Sequence, residues 1–344
     1  MRKGVVVTMA DVALAAGVNK STVSHVLNGT RIVSDSTREL VLEAISATGY
    51  RHNVVARSLA TSTTMSLGLA ISSAANPYFG DLIRAVEASA SAAGYMLMLA
   101  DTHDDADVER RVVEELLGRR TDGILLAPSV NAIDRALPYL ESTGAPTVLI
   151  DRFVDAELDQ VGSENTDATA RLVEHLAEIG HRRIAMVCGL RGLPSTSERV
   201  DGFRRTVAAL SLDDDPGLEL DGGSDAARAE QVVHELFSGP ARPSAVVVGN
   251  NAMTIGTMRA LRRLDLRVPA DVALVCYDDF EWADLFEPRL TAMEQDVARI
   301  GGIAVDLVVQ RIRDPSRPAR RQVLDPTFRH RDSCGCHLSG ARPA

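Results

Sequence analysis

Cysteine is scarce in this chain. Four residues, at positions 188, 276, 334 and 336, are too few and too scattered for a disulfide framework. Cys188 and Cys276 fall inside apolar runs and read as small core residues. Residues 330–337 do hold two His and two Cys, but Cys334-Gly-Cys336 lacks the two-residue spacer of a structural zinc knuckle. A mobile tail is therefore expected over 329–344, with no metal and no cofactor. No apolar run approaches the roughly eighteen residues a membrane helix needs. Ahead of Thr8 the chain offers only Arg2, Lys3 and the short patch Val5–Val7, too little for the apolar core of a signal peptide, so a cytoplasmic protein is expected. Enzyme signatures are missing as well: there is no Gly-x-Ser-x-Gly elbow, no phosphate-binding Gly-x4-Gly-Lys loop and no metal triad. No leucine heptad closes the chain either, so a dimer is the economical assembly.

What is present is mixed and asymmetric. The 344 residues carry a net charge of −10 and suggest two or three domains. Residues 1–64 hold seven basic and four acidic side chains, a balance of +3, which leaves −13 on the remainder. A mildly basic head on an acidic body steers the head toward phosphate and keeps the body off a duplex, with a salt-dependent affinity as the consequence.

The stretch from Thr8 to Asn28 organises the head. Thr8 followed three residues later by Asp11 opens a helix as a capping box, and Met9, Val12, Ala13 and Ala16 give it an inward face. Gly17 closes that helix. Asn19 is a good N-cap for a second helix with Val23, Val26 and Leu27 on its buried side, so the corner spans only Gly17, Val18 and Asn19. Helices joined that tightly cross steeply. Lys20, Ser21, Ser24, His25 and Asn28 then share the outward stripe of the second helix with Thr22 close by, and such a polar stripe suits a major groove. A third helix starts after Ser34, with Asp35 in its first turn and Leu40, Val41, Ala44 and Ile45 as its buried stripe. Gly49 ends it and Tyr50 closes the small core, its hydroxyl available to a phosphate.

Residues 8–61 as a whole resemble the DNA-binding head and hinge of the LacI-GalR family of bacterial repressors. The likeness extends through Arg31-Ile-Val-Ser, Gly49-Tyr50 and Asn53-Val-Val-Ala-Arg-Ser-Leu-Ala60, in order and spacing. It implies that Thr8, Asn19, Lys20, Ser21, Thr22, Ser24, His25, Asn28, Tyr50, Asn53, Arg57, Leu59 and Ala60 face DNA. Residues 53–60 are too short for a stable isolated helix. In the family such a hinge pairs with its twin and wedges a leucine, here Leu59, into a minor-groove step. His25 stands where the family often has arginine.

From Ser66 the pattern alternates. Apolar strand candidates at 66–71, 95–100, 123–127, 146–150, 183–188, 245–249 and 272–277 are separated by amphipathic segments such as 81–93, 107–118, 165–179, 196–210 and 251–265. This predicts parallel sheets covered by helices on both faces. The spacing resembles periplasmic sugar-binding proteins and the body of the same repressor family. The expected architecture is an all-α helix-turn-helix head at 5–52, a hinge at 53–64, and an α/β body of two doubly wound lobes. The first lobe takes 65–161 and 293–328, the second takes 162–292, and 329–344 is left as the tail. The chain is expected to cross between lobes near 161–163 and 291–294, returning through a helix at 296–313.

Ligands of open α/β sheets bind beyond the carboxyl ends of the strands. Asn76-Pro-Tyr78-Phe79, Asp101, Pro128-Ser129, Asp151-Arg152, Asn250-Asn251 and Asp278-Asp279 all stand at such positions, and Arg199 opens a helix. By the resemblance, Arg199, Asn250 and Asp278 are the effector contacts. Phe79, or else Tyr78, offers a flat apolar face to a sugar or base ring, and Asp151 accepts hydroxyl bonds from the other lobe. Trp282 follows Asp278 closely and either stacks on the ligand or fills a loop. Asn250-Asn251 departs from the family's usual Asn-Asp. The resulting expectation is a dimeric repressor that binds palindromic double-stranded operator DNA under control of a small-molecule effector, a sugar first and a nucleobase second. A sugar-binding or transport protein explains the body but leaves the head without a use.

Overall fold

A computed structural model describes residues 7–28, 31–50, 63–72 and 76–336. The hinge residues Asn53, Arg57, Leu59 and Ala60, the side chain of Asn28, and His337 lie outside them. The chain divides into two compact units, residues 1–64 and 65–344.

In the first unit, helices α1 (Met9–Ala15), α2 (Lys20–Asn28) and α3 (Asp35–Thr48) enclose a small core. The expected capping box is formed: Thr8 N–H donates to Asp11 Oδ2 at 2.7 Å, and Asp11 N–H donates to Thr8 Oγ1 at 3.4 Å. Asn19 O accepts from the amides of Thr22 and Val23 at 2.9 and 3.2 Å, which starts α2 immediately after the corner. Gly49 ends α3 in the left-handed region at φ +67°, where a side chain would be strained. Val12, Ala13, Val23, Val41, Ala44 and Tyr50 are buried together. Leu40 does not join them, being 52 % exposed. The buried stripe runs through Val41 and Ala44, and Leu40 lies about 100° round the helix from Val41.

The second unit holds two six-stranded sheets. The first contains β1 (Ser66–Ile71), β2 (Met96–Asp101), β3 (Gly123–Leu126), β4 (Thr147–Ile150), β5 (Asp159–Ser163) and β11 (Arg321–Leu324), in the spatial order β11-β5-β4-β3-β1-β2. Helices α4 (Pro77–Ala92), α5 (Ala106–Gly118), α6 (Ala136–Thr143) and α11 (Val297–Arg313) cover it. The second contains β6 (Ile184–Cys188), β7 (Glu219–Asp221), β8 (Ala245–Val248), β9 (Ala273–Tyr277), β10 (Thr291–Glu294) and β12 (Thr327–Arg329), in the order β12-β10-β9-β8-β6-β7. Helices α7 (Thr166–Glu178), α8 (Pro194–Ala209), α9 (Ala226–Ser238) and α10 (Asn251–Arg263) cover it. Pairing is parallel throughout, apart from β12 against β10. Each sheet is therefore apolar on both faces and carries two core clusters.

The order in both sheets reverses beside the first strand of the lobe, at β1 and at β6, and this creates a crevice beyond the strand ends of each lobe. Helices approach closely where glycine permits. A Cβ at Gly202 of α8 would stand 2.1 Å from the carbonyl oxygen of Thr166, so α8 is seated hard against the start of α7. That contact fixes the helix carrying Arg199.

The expectation of a mobile tail is corrected at its start. After β11 the chain crosses once more, and β12 adds to the second sheet with Met293 opposite Phe328. Ser333 then plugs the ends of two strands: its carbonyl accepts from Leu274 N–H at 2.8 Å, its hydroxyl donates to Leu274 O at 2.7 Å, and that hydroxyl accepts from Thr291 N–H at 2.8 Å. Cys334 and Cys336 are buried behind it. Backbone groups left open at the edge of β9 and β10 are what hold this segment.

Candidate functional site

Two strands, one per lobe, end in the same way. β4 is followed by Asp151 at φ +70° and β9 by Asp278 at φ +73°, both in the left-handed region that aspartate tolerates better than most residues. This conformation turns the backbone sharply at the strand end and leaves each carboxylate at the mouth of its lobe. Asp151 is 6 % exposed and Asp278 3 %. Both line one cleft with Asn76, Tyr78, Phe79, Arg199 and Asn250. The cavity left between these side chains is small, about 40 Å³, below the range of about 300–1,000 Å³ usual for small-ligand pockets.

Arg199 is fixed before any ligand arrives. Its Nε donates to Asn165 Oδ1 at 2.8 Å, its Nη1 donates to Gly249 O at 2.5 Å, and its guanidinium carbon lies 3.7 Å from the centre of the Tyr277 ring. Tyr277 is itself anchored, its hydroxyl donating to Glu164 O at 2.6 Å. Asp278 accepts from Gln295 Nε2 at 2.6 Å. Burial raises its carboxyl to about 6, against the opposing pull of Arg199 and the Gln295 bond and with a further push from Asp151. Asn250 caps α10, its Oδ1 accepting from Met253 N–H at 2.9 Å. Its Nδ2 is left for a ligand.

On the first lobe, Asn76 caps α4 and accepts from Tyr78 N–H at 3.2 Å. The next turn buries Tyr78 and Phe79, packed edge to face with centroids 5.2 Å apart. The Tyr78 hydroxyl makes no hydrogen bond to any described residue. Burial, and then the charge and hydrogen-bonding pull of the nearby Asp151 carboxylate, hold this phenol well above its ordinary pKa, so it is a donor whose nearest acceptor is Asp151.

Arg152, which the sequence marks only through its place beside Asp151, is a full member of this site. It is 5 % exposed. Its Nη1 donates to Asp104 Oδ1 at 2.5 Å and to Pro128 O at 2.9 Å, and its Nη2 donates to Ser72 Oγ at 2.9 Å. Its Nε lies 3.4 Å from Asp151 Oδ2. The arginine thereby ties the ends of β1, β3 and β4 into one floor. Gln295, Ser195, Thr196 and Ser224 also line the cleft; Gln295 directly follows β10 and Ser224 lies just beyond β7, strands too short to register in the sequence, while Ser195 and Thr196 open α8.

Three sequence-expected residues stand elsewhere. Ser129 is buried behind the floor, its amide donating to Glu109 Oε2 at 2.6 Å. Burial raises that glutamate to about 7, with the Ser129 hydrogen bonds and the charge of Arg152 working the other way. Asp101 turns back on its own loop, accepting from His103 N–H at 2.8 Å. Trp282 is 39 % exposed and packs on Phe280 and Phe286 at 4.5 and 5.3 Å between centroids, on a surface it shares with Ile255 and Met258. The loop after Asp278 carries it away from the cleft.

In the head, Asn19, Lys20 and Ser21 are exposed at the start of α2, and Thr22, Ser24 and His25 are half-buried along it. Thr8 is exposed at the start of α1, and Tyr50 is buried in the core. The small hydroxyl and amide groups thus gather at the N-terminal end of the second helix of the pair, the end that meets base edges when such helices enter a groove.

Comparison with known proteins agrees with both units. Residues 8–53 match the model for bacterial regulatory proteins of the lacI family, and residues 173–334 match a periplasmic binding protein-like domain. The chain is 34 % identical over 328 residues to the ribose operon repressor of Escherichia coli K12, covering 95 % of this chain and 99 % of that one. It is 33 % identical over 306 residues to the HTH-type transcriptional repressor PurR of Haemophilus influenzae PittEE, covering 89 % and 91 %. The crystal structure of the lac repressor dimer bound to operator and the anti-inducer ONPF superposes with a TM-score of 0.85 at 28 % identity, over 95 % of this chain and 99 % of that one. A helix-turn-helix head, two doubly wound lobes and full-length relatives of one kind leave a single assignment: the chain belongs to the lacI family of bacterial regulatory proteins.

Proposed function

We propose that this protein represses transcription from a palindromic operator, which it holds as a dimer in the cytoplasm, and that a sugar in the interlobe cleft sets its affinity for that DNA. The observation that carries the effector reading is the composition of the cleft. Two buried carboxylates stand with two fixed arginines, Asp278 under the charge of Arg199 and Asp151 beside Arg152, and a buried tyrosine hydroxyl lies against an aromatic face. Vicinal hydroxyls donate to carboxylates and accept from a guanidinium or a phenol, so one pentose or hexose ring satisfies all of these groups together. The ribose operon repressor among the relatives makes a pentose the first sugar to try. A purine is the second reading, favoured by Phe79 and by the PurR relatives.

The lining suits binding rather than chemistry, since both its arginines are already engaged by protein acceptors and no nucleophile with a base stands among the groups described. A dimer is supported by apolar side chains at surfaces of the single chain: Met96 and Leu99 on the edge strand β2 are 70 % and 48 % exposed, and Leu285 is 81 % exposed near Trp282.

Fluorescence anisotropy on a labelled duplex from the upstream region of its own gene, repeated with ribose, other pentoses, hexoses and purines, tests the proposal. A sugar that shifts operator affinity at least about tenfold, a coupling of about 1.4 kcal/mol, supports it. A response to purines alone selects the second reading. Indifference to every duplex at low salt removes the DNA function itself.

A further inference from the structure

The effector cleft and the polar face of α2 leave one chemically distinctive cluster unused. It lies where the C-terminal segment returns to the second lobe. His175 projects from α7, while His330, Cys334 and Cys336 follow β12. Cys334 Sγ and Cys336 Sγ are 3.4 Å apart, each lies 3.3 Å from His330 Nε2, and Cys336 Sγ lies 3.4 Å from His175 Nε2. All four ligand atoms fall within 4.8 Å of one another.

We propose that His175, His330, Cys334 and Cys336 form a zinc site that staples the C-terminal segment to the second lobe.

The separations carry the argument. Zinc bonds of about 2.3 Å to sulfur and 2.0–2.1 Å to nitrogen, arranged tetrahedrally, place neighbouring ligand atoms about 3.3–3.8 Å apart. For the pairs measured here that geometry asks about 3.8 Å between sulfurs and about 3.6 Å between sulfur and nitrogen, so separations of 3.4 Å and 3.3–3.4 Å are a few tenths of an ångström short and the cluster opens slightly to take the ion. Two thiols and two imidazoles with no carboxylate among them are a donor set that favours zinc over magnesium or calcium. Hydrogen bonding accounts for the cluster poorly. Cys336 Sγ meets three partners and brings one proton. A cation at the centre satisfies all four lone pairs at once.

The rings are also held in place. His175 packs edge to face on Phe328 with centroids 5.1 Å apart and on His330 at 5.3 Å. Cys334 and Cys336 are buried while His330 is exposed, so the site is closed on the protein side and open to metal from solvent.

Its place in the fold assigns it a structural role. Ser333, adjacent to Cys334, is hydrogen-bonded to Leu274 and Thr291 at the beginnings of β9 and β10. The effector cleft lies beyond the opposite ends of the strands, where Asp278 and Asn250 stand. The metal therefore anchors the last strand without touching the ligand. Cys334-Gly-Cys336 alone does not reveal the site, because the ligand that completes it lies 161 residues before Cys336.

The test uses the untagged full-length chain, expressed with zinc and purified under reductant, with metal measured by mass spectrometry. About one zinc per chain is expected, falling at least about tenfold in the Cys334→Ser, Cys336→Ser double variant and in His175→Ala. Chelation should lower the melting temperature by roughly 10 °C, restored by zinc. Cobalt substituted into the unaltered chain should give the intense visible bands of tetrahedral coordination together with sulfur-to-cobalt charge transfer. That spectrum decides the matter even where a variant fails to fold. A cooperatively melting chain that retains no zinc and gives no such spectrum overturns the site, as does a Cys334–Cys336 disulfide recovered from the reduced preparation.

Discussion

Glu109 shows how much a single buried carboxyl can set. It is fully buried, it accepts the Ser129 amide through one oxygen, and its other oxygen has no partner among the described residues. Its folded pKa of about 7 stands above its ordinary 4.5, with burial as the cause. A carboxyl raised in this way binds its proton more tightly folded than unfolded, so it favours the folded state at low pH and that advantage is lost as pH rises through about 7. Unfolding by urea should therefore show wild-type stability falling between pH 6 and 8 by an amount on the order of 1–2 kcal/mol. Glu109→Gln, which keeps the acceptor for Ser129, should be flatter across that window. Equal slopes for the two proteins would exclude Glu109 as the source.

Asp278 carries the complementary prediction. Asparagine tolerates the same left-handed backbone, so Asp278→Asn should fold normally while losing effector affinity by roughly 10–100-fold, the worth of about 1.5–3 kcal/mol for a hydrogen bond to a charged group. In the wild type that affinity should weaken as pH falls through about 6, where the carboxyl takes up its proton. Calorimetry from pH 5 to 8 on both proteins checks this. At this scale the sequence is legible where a residue follows a strand, as with Asp151, Asn250 and Asp278. It is opaque where a loop turns away, as with Trp282, or where a burial network recruits a neighbour, as with Arg152.

At the scale of elements, the strands of the parallel sheets announce themselves as apolar runs, and their observed ends lie within a residue of the sequence pattern. β7 and β12, at three residues each, carry too few positions for any period to register. β5 and β10 hide because Asp159-Gln-Val-Gly-Ser163 and Thr291-Ala-Met-Glu294 are short and partly polar, their buried polar groups being satisfied by the fold: Asp159 alone receives Arg311 and Arg317 at 2.9 and 2.6 Å. The head was legible almost throughout, since capping residues and a three-residue corner are local signals. Its α2 yields a prediction that separates readout from steering. Lys20 is exposed at the first position of that helix. If it meets phosphate, Lys20→Ala should weaken binding to operator and to random duplex alike and reduce the slope of log affinity against log salt by about one. A loss confined to operator, at unchanged slope, would instead make Lys20 a base contact.

For the whole molecule, the two activities proposed here are one equilibrium seen from two sites. Whatever factor the effector applies to operator affinity, operator must apply to effector affinity, because the four states of free, liganded, DNA-bound and doubly bound protein close a thermodynamic cycle. A pocket of carboxylates and two arginines closes on an inducer or a corepressor through the same kinds of contact. The cycle nevertheless fixes a relation that either case must obey. Titrating effector into the free protein and into its saturated operator complex should give dissociation constants whose ratio equals the ratio of operator affinities measured with and without saturating effector. A variant such as Asp278→Asn, which weakens effector in both states alike, should move the absolute constants and leave that ratio unchanged. Unequal ratios in the unaltered protein would mean that the cleft ligand reaches the DNA through a second binding site rather than through this one.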